Sequence, residues 1–138
     1  MKRFLVDASA IARCSCAEVA ARLEVLAAAG VVDTCGVVDL QLLELVHDPR
    51  TYTEIAALRG AAFKLLDTSE ADFQRAAQVQ ALLVTGGESR VAWPLLVVAA
   101  VAERHGVTVL HCDARYDVIG KVTGQGMERA EVSNTGSA

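Results

Sequence analysis

Aromatic side chains are scarce in this sequence: three Phe, two Tyr and one Trp among 138 residues. A core of this size cannot rest on ring packing and must come from Ala, Val and Leu, which suit close contact of helices with helices and sheets. Proline is scarcer still, with only Pro49 and Pro94, both at points where a helix is expected to open. Long apolar runs are missing as well. The longest, around Trp93 to Ala102, is about half of the ~20 residues that a bilayer requires, so no membrane association is expected. Four cysteines, Cys14, Cys16, Cys35 and Cys112, supply one Cys-x-Cys, no second close pair and no His at zinc-ligand spacing. They read as scattered buried thiols. Positive charge is also short, 13 Lys and Arg against 17 Asp and Glu, and the net charge of -4 argues against a broad phosphate-binding face. A short basic rim around an acidic pocket remains compatible with it. The opening "MKRFLVDASAIAR" meets Asp7 after three apolar residues, which lacks the apolar stretch of a secretory signal and points to the cytoplasm.

What the chain has in quantity is aliphatic surface. Apolar residues make up 53% and the mean hydropathy is +0.35, more than one small monomer needs, so surface buried against a second copy, a homodimer, is expected. The length suits one domain with one core.

Periodicity divides the chain into alternating strands and helices. "RFLVD" is a short apolar strand ending at Asp7. "CAEVAARLEVLAAAG" has helical spacing and stops at Gly30. A strand near Val31 to Asp33 precedes a helix from about Val37 that Pro49 is expected to terminate. Pro49 then opens a further helix, "KLLD" reads as a strand, and Ser69 with Asp72 forms an N-terminal capping pair on the helix that follows. Next come a helix from Pro94 to His105, a strand from Val107 to His111, a short helix at "ARYDVIGKVTG" and a last strand at "ERAEV". This alternation predicts an α/β fold, a three-layer α/β/α arrangement around a central mainly parallel sheet, with ligands at the carboxyl ends of the strands.

Two acids sit at such ends: Asp7 after "RFLV" and Asp113 after "VTVLHC". Hard carboxylate oxygens converging there would suit Mg²⁺ or Mn²⁺, and an ion so held would activate water against a phosphodiester. Spacing alone is equally consistent with both aspartates capping the helices that follow them.

The segments "FLVDASAIAR", "CGVVDLQLLEL" and "WPLLVVAAVAERHGVTVLHCDARYDVI" together resemble the PIN domain and, within it, the VapC toxins of bacterial toxin-antitoxin pairs. The last segment is the most specific, joining a Pro-opened apolar helix, a "TVLH" strand and Asp-x-x-Tyr-Asp-x-Ile. The resemblance implies a single PIN-like domain over 1–132 with a flexible tail at 133–138. It also implies four acids around a divalent cation, RNA as substrate, a homodimer, and an antitoxin-like protein partner that reaches into the active-site groove.

Carried over residue by residue, the resemblance places Asp7 and Asp113 on the first and last acids, as catalytic residues and metal ligands. Gln41 stands where a glutamate is expected and Leu95 where an aspartate follows the proline. Both positions are degenerate. The pocket's charge falls from about -4 to about -2, and Mg²⁺ affinity depends strongly on ligand charge, so metal binding is expected to be weak or absent. Asp117 is the best substitute acid, counted with Asp7 and Asp113 as catalytic, and Ser9, Glu44 and Arg115 are possible support. Glu44, one turn beyond Gln41, is otherwise solvated helix surface, as is Asp39. Arg13 and Arg90 are candidates for the groove rim. His111 is either a general base or a hydrogen-bonded residue at a strand end, and His105 is a cation at a helix C-terminus. The expectation is a VapC-like endoribonuclease with weak or lost activity; the alternatives are an inactive pseudo-nuclease that binds RNA or an antitoxin-like protein, and a plain dimeric scaffold.

Overall fold

A computed structural model describes residues 2–88 and 91–131, the side chains of Leu43 and Leu45 excepted. Arg90 and the segment 133–138 lie outside the described residues. In chain order the elements are β1 (Phe4–Val6), α1 (Ala8–Ile11), α2 (Ala17–Ala28), β2 (Val32–Thr34), α3 (Gly36–Leu45), α4 (Pro49–Ala62), β3 (Lys64–Leu65), α5 (Glu70–Thr85), α6 (Trp93–His105), β4 (Thr108–His111), α7 (Arg115–Thr123) and β5 (Met127–Arg129). The five strands form one parallel sheet in the order β3-β2-β1-β4-β5.

That order fixes where a ligand belongs. The chain winds from β1 through β2 to β3, then crosses back to place β4 on the other side of β1, so the direction of winding reverses between β1 and β4. Crevices outside the carboxyl ends of strands open at such reversals. Val6 pairs with Leu110 at the tips of β1 and β4, and the Asp7 amide donates to the Leu110 carbonyl at 2.9 Å. Asp7 and the residues after His111 therefore leave the sheet side by side. Every residue of β1 and β2 is buried, as continuous apolar strands covered on both faces require. Asp33 is the charged exception; the Arg3 guanidinium meets its two oxygens at 2.5 and 3.1 Å and closes the start of β1 onto β2.

Helix α6 explains much of the aliphatic excess. Its residues from Leu95 through Ala102 are all buried, because it packs against α3, α5, α7 and β4 together. A helix surrounded on every side has no polar face to keep, and its alanines let neighbours approach closely. Gly106, at φ 69°, ends it in the left-handed conformation. At its last turn Arg104 meets Asp72 at 2.8 and 2.9 Å. Asp72 also accepts from the Ser69 amide at 2.9 Å, so one carboxylate caps α5 and anchors α6.

Several boundaries differ from expectation. α3 ends at Leu45, where Val46 turns extended (φ -122°, ψ 109°), so Pro49 does not terminate it. The proline opens α4 instead, with Asp48 as its N-cap accepting from the Thr51 amide at 2.9 Å and Pro49 in the first turn. β3 is only two residues long. The final strand begins earlier than "ERAEV", at Met127, because pairing with β4 starts at Val109.

Candidate active site

The β1–β4 crevice opens into a pocket of about 380 Å³. Asp7 and Ser9 come from the turn after β1, Gln41 and Glu44 from α3, Ala92, Trp93, Pro94 and Leu95 from the start of α6, and Asp113 with Arg115 from the turn after β4. Seven of the residues singled out from sequence thus meet in one place, contributed by segments more than a hundred residues apart.

Asp7 is only 3% exposed. Its Oδ2 accepts from the Ser9 amide at 2.9 Å and its Oδ1 from the Tyr116 hydroxyl at 2.5 Å. It is therefore an N-cap of α1 and a wall of the pocket at once. Ser9 does not spend its hydroxyl on Asp7. The Cys112 amide donates to Ser9 Oγ at 3.0 Å, which ties the start of α1 to the end of β4.

Behind this wall lies His111, fully buried. The Asp113 amide donates to His111 Nδ1 at 3.1 Å, so the ring proton sits on Nε2 and points to Asp117 Oδ1 at 3.1 Å. Burial holds the His111 pKa below its ordinary value, the neighbouring Asp117 opposing the shift only in part. With both nitrogens engaged away from the pocket, His111 takes the hydrogen-bonded alternative and not that of general base. Its ring packs on Tyr116 at 5.2 Å between centroids. Burial, followed by the Asp7 charge, pushes the Tyr116 hydroxyl well above its usual range, which keeps it a donor to Asp7.

Asp113 leans the other way. Its oxygens face the Arg115 guanidinium, the closest approach being Nη2 to Oδ2 at 2.7 Å, while Oδ1 accepts from the Arg115 amide at 3.0 Å. The Arg115 side chain is the main cause of an Asp113 pKa held below the carboxylate norm.

The far wall has a different character. Leu95 is 4% exposed, and Gln41 Oε1 is buried without a hydrogen-bond partner. Glu44 is exposed and lines the pocket edge, a placement beyond plain solvated surface. Asp39 is paired with Arg59 at 3.1 Å. Asp117, the expected substitute acid, stands outside the pocket lining; His111 holds one of its oxygens and Arg129 the other at 2.9 Å. Arg13 is likewise drawn aside, to Glu131 at 3.1 Å. His105 lies near the Asp67 carbonyl at 3.2 Å, where the end of α6 favours a cation. Two contributors escaped sequence reasoning. Tyr116 carried a signal, its place in Asp-x-x-Tyr-Asp, but no hint of its partner; Trp93, 58% exposed at the pocket mouth, carried none beyond its rarity.

No family model matches the chain. Among curated proteins it is similar to Ribonuclease VapC51 of Mycobacterium tuberculosis, 38% identical over 125 residues and 89% of each chain. This chain belongs to the VapC ribonuclease family. A second VapC relative from the same organism, Ribonuclease VapC21, is 33% identical over 127 residues, 91% of this chain and 92% of its own. The fold is that of solved VapC-type complexes. VapBC2 from Rickettsia felis bound to a promoter DNA fragment matches with a TM-score of 0.73 at 11% identity, covering 91% of this chain and 97% of that one. FitAcB from Neisseria gonorrhoeae matches with a TM-score of 0.72 at 18% identity, covering 92% and 97%.

The VapC-like pocket does not suit the divalent ion that the PIN resemblance implies. Among the described residues, no three of His, Cys, Asp and Glu stand close enough to hold a metal. Leu95 and Gln41 bring an alkyl chain and an amide to the α3–α6 wall, where Glu44 stands at the edge, and across the pocket the Asp113 carboxylate is paired with Arg115.

Proposed function

We propose that this chain is the toxin-fold half of a VapBC-type pair whose RNA cleavage is strongly attenuated, while its groove still receives RNA and an antitoxin-like protein. The observation that carries this reading is the far wall of the pocket: Leu95 buried, and the Gln41 amide oxygen without a partner. A carboxylate at either position would add negative charge toward the crevice; the residues present add none. The relatives' names supply the substrate class, and the VapBC and FitAcB complexes supply the partner class. Mg²⁺ or Mn²⁺ remains the cofactor of the family chemistry, and its retention here is expected to be poor.

The chain's own residues set what the pocket still does. Tyr116 and the Ser9 amide fix the Asp7 carboxylate in one orientation, and the neutral His111 fixes the turn that carries Asp113. Trp93 offers an exposed ring at the mouth, suited to stacking on an unpaired base. A homodimer is supported by a second, apolar groove of about 320 Å³ between α5 and α6, lined by Phe73, Ala76, Leu96 and Trp93 among others. No helix among the described residues is long and apolar enough to cross a membrane, in keeping with a site of action in the cytoplasm.

The test is cleavage of structured RNA with and without Mn²⁺, comparing the unaltered chain with Asp7→Asn. Cleavage close to the Asp7→Asn background, with RNA binding retained by both proteins, supports the proposal. Vigorous Mn²⁺-dependent cleavage that Asp7→Asn abolishes overturns it.

A further inference from the structure

Asp113 is one of three acids that line the β1–β4 crevice, with Asp7 and Glu44, and its oxygens already face a cation. Arg115 Nε lies 3.1 and 3.2 Å from Asp113 Oδ1 and Oδ2, and Nη2 lies 2.7 Å from Oδ2. The two residues are two apart in the chain, and the Arg115 amide caps Oδ1 at 3.0 Å, so local backbone geometry brings fork and carboxylate together. No distant element is needed. Arg115 also lines the pocket itself.

A guanidinium differs from a lysine ammonium in ways that matter here. It keeps its charge at every pH at which the protein folds, sheds water easily, and matches both oxygens of a carboxylate at once. A divalent ion arriving at Asp113 must break this two-pronged pair and then sit beside a like charge. What the rest of the lining offers is limited: Asp7 is held by Tyr116 and Ser9, Gln41 offers a neutral oxygen, Leu95 offers nothing, and the Glu44 carboxylate stands exposed at the pocket edge.

We propose that Arg115 is the resident cation of this pocket: its guanidinium occupies the Asp113 carboxylate in place of a divalent ion, so metal exclusion rests on Gln41, Leu95 and Arg115 together. The inference builds on the attenuated-nuclease reading and goes beyond it, because replacing the two missing acids then leaves the site closed. Arg115 is a specificity-determining residue, choosing no metal over metal.

The test is calorimetric titration of the full chain with Mn²⁺. Four proteins are compared: unaltered, Arg115→Ala, the Gln41→Glu/Leu95→Asp double variant, and the triple variant that adds Arg115→Ala to it. The triple variant is expected to bind about tenfold more tightly than the double, a difference of ~1.4 kcal/mol. Arg115→Lys in the triple background is expected to fall between them, because lysine keeps the charge and loses the fork. Should the carboxylate at position 95 unfold the domain, Gln41→Glu with and without Arg115→Ala gives the same comparison with Leu95 in place. Equal affinity with and without the arginine, in whichever background folds, overturns the role of Arg115 and leaves the attenuated-nuclease reading intact. Micromolar Mn²⁺ binding by the unaltered chain overturns both.

Discussion

The two walls of the pocket are built on opposite principles. Toward α1, β4 and α7, nearly every polar atom has a partner: Tyr116 and Ser9 on Asp7, Asp117 and the Asp113 amide on His111, Arg115 on Asp113. Toward α3 and α6 stand a leucine in the core and an amide oxygen with no partner. The first wall is an ordered network that closes on itself without any ion. The second resembles a core surface that happens to face a cavity. On the second wall the Glu44 carboxylate, exposed at the pocket edge, is the charge that α3 contributes.

That contrast can be broken most forcefully at Leu95. Leu95→Asp puts a carboxylate into the buried part of the α3–α6 wall and is expected to cost about 2–4 kcal/mol in urea unfolding without Mg²⁺. Mg²⁺ should restore part of the loss, and more of it when Arg115→Ala is added. An unchanged melting temperature in every condition would mean that Leu95 does not border the acidic side. Next in size is Tyr116→Phe on the networked wall. It leaves the buried Asp7 Oδ1 without its donor, an expected loss of about 1–3 kcal/mol by the same measurement.

A pH series sharpens the contrast, because the networked wall holds the groups whose titration is shifted by burial and pairing. The folded His111 pKa lies below its ordinary 6.5, so the unfolded chain binds a proton that the native ring refuses. Stability from this residue is complete above pH 6.5, falls as pH drops below that value, and is lost through the lower folded pKa. Asp113, also held low, adds a second decline at more acid pH, below its usual 3.8. Urea midpoints measured between pH 8 and 5 should decline for the unaltered chain and stay flatter for His111→Gln. The smallest expected effect belongs to Gln41→Met, which removes the unpartnered oxygen from the α3–α6 wall and should leave stability unchanged or raise it by up to ~1 kcal/mol. A clear destabilisation would show that Gln41 has a hydrogen-bond role after all.

Much of the architecture was legible because it is local. Pro49, Pro94 and the Ser69–Asp72 pair mark helix starts through backbone chemistry that acts within one turn. The strand before Asp7 and the strand before Asp113 are apolar runs that stop at an acid, and parallel pairing alone brings such ends together. Gln41 and Leu95 were legible as absences, against the family pattern. For Asp117, helical spacing says how far the side chain lies from Asp113, not which neighbour captures it; the captors, His111 and Arg129, come from β4 and β5. The Tyr116–Asp7 bond joins positions 109 apart in the chain, beyond the reach of any periodicity.

By itself the sequence determined which residues end strands and which open helices, since these follow from backbone sterics and side-chain chemistry within a few residues. Only the tertiary structure decided how each remaining charge is spent. Which groups hold Asp117, and whether His111 is a base or a buried strut, depends on burial and on partners delivered by other strands. Those are settled only when the sheet assembles.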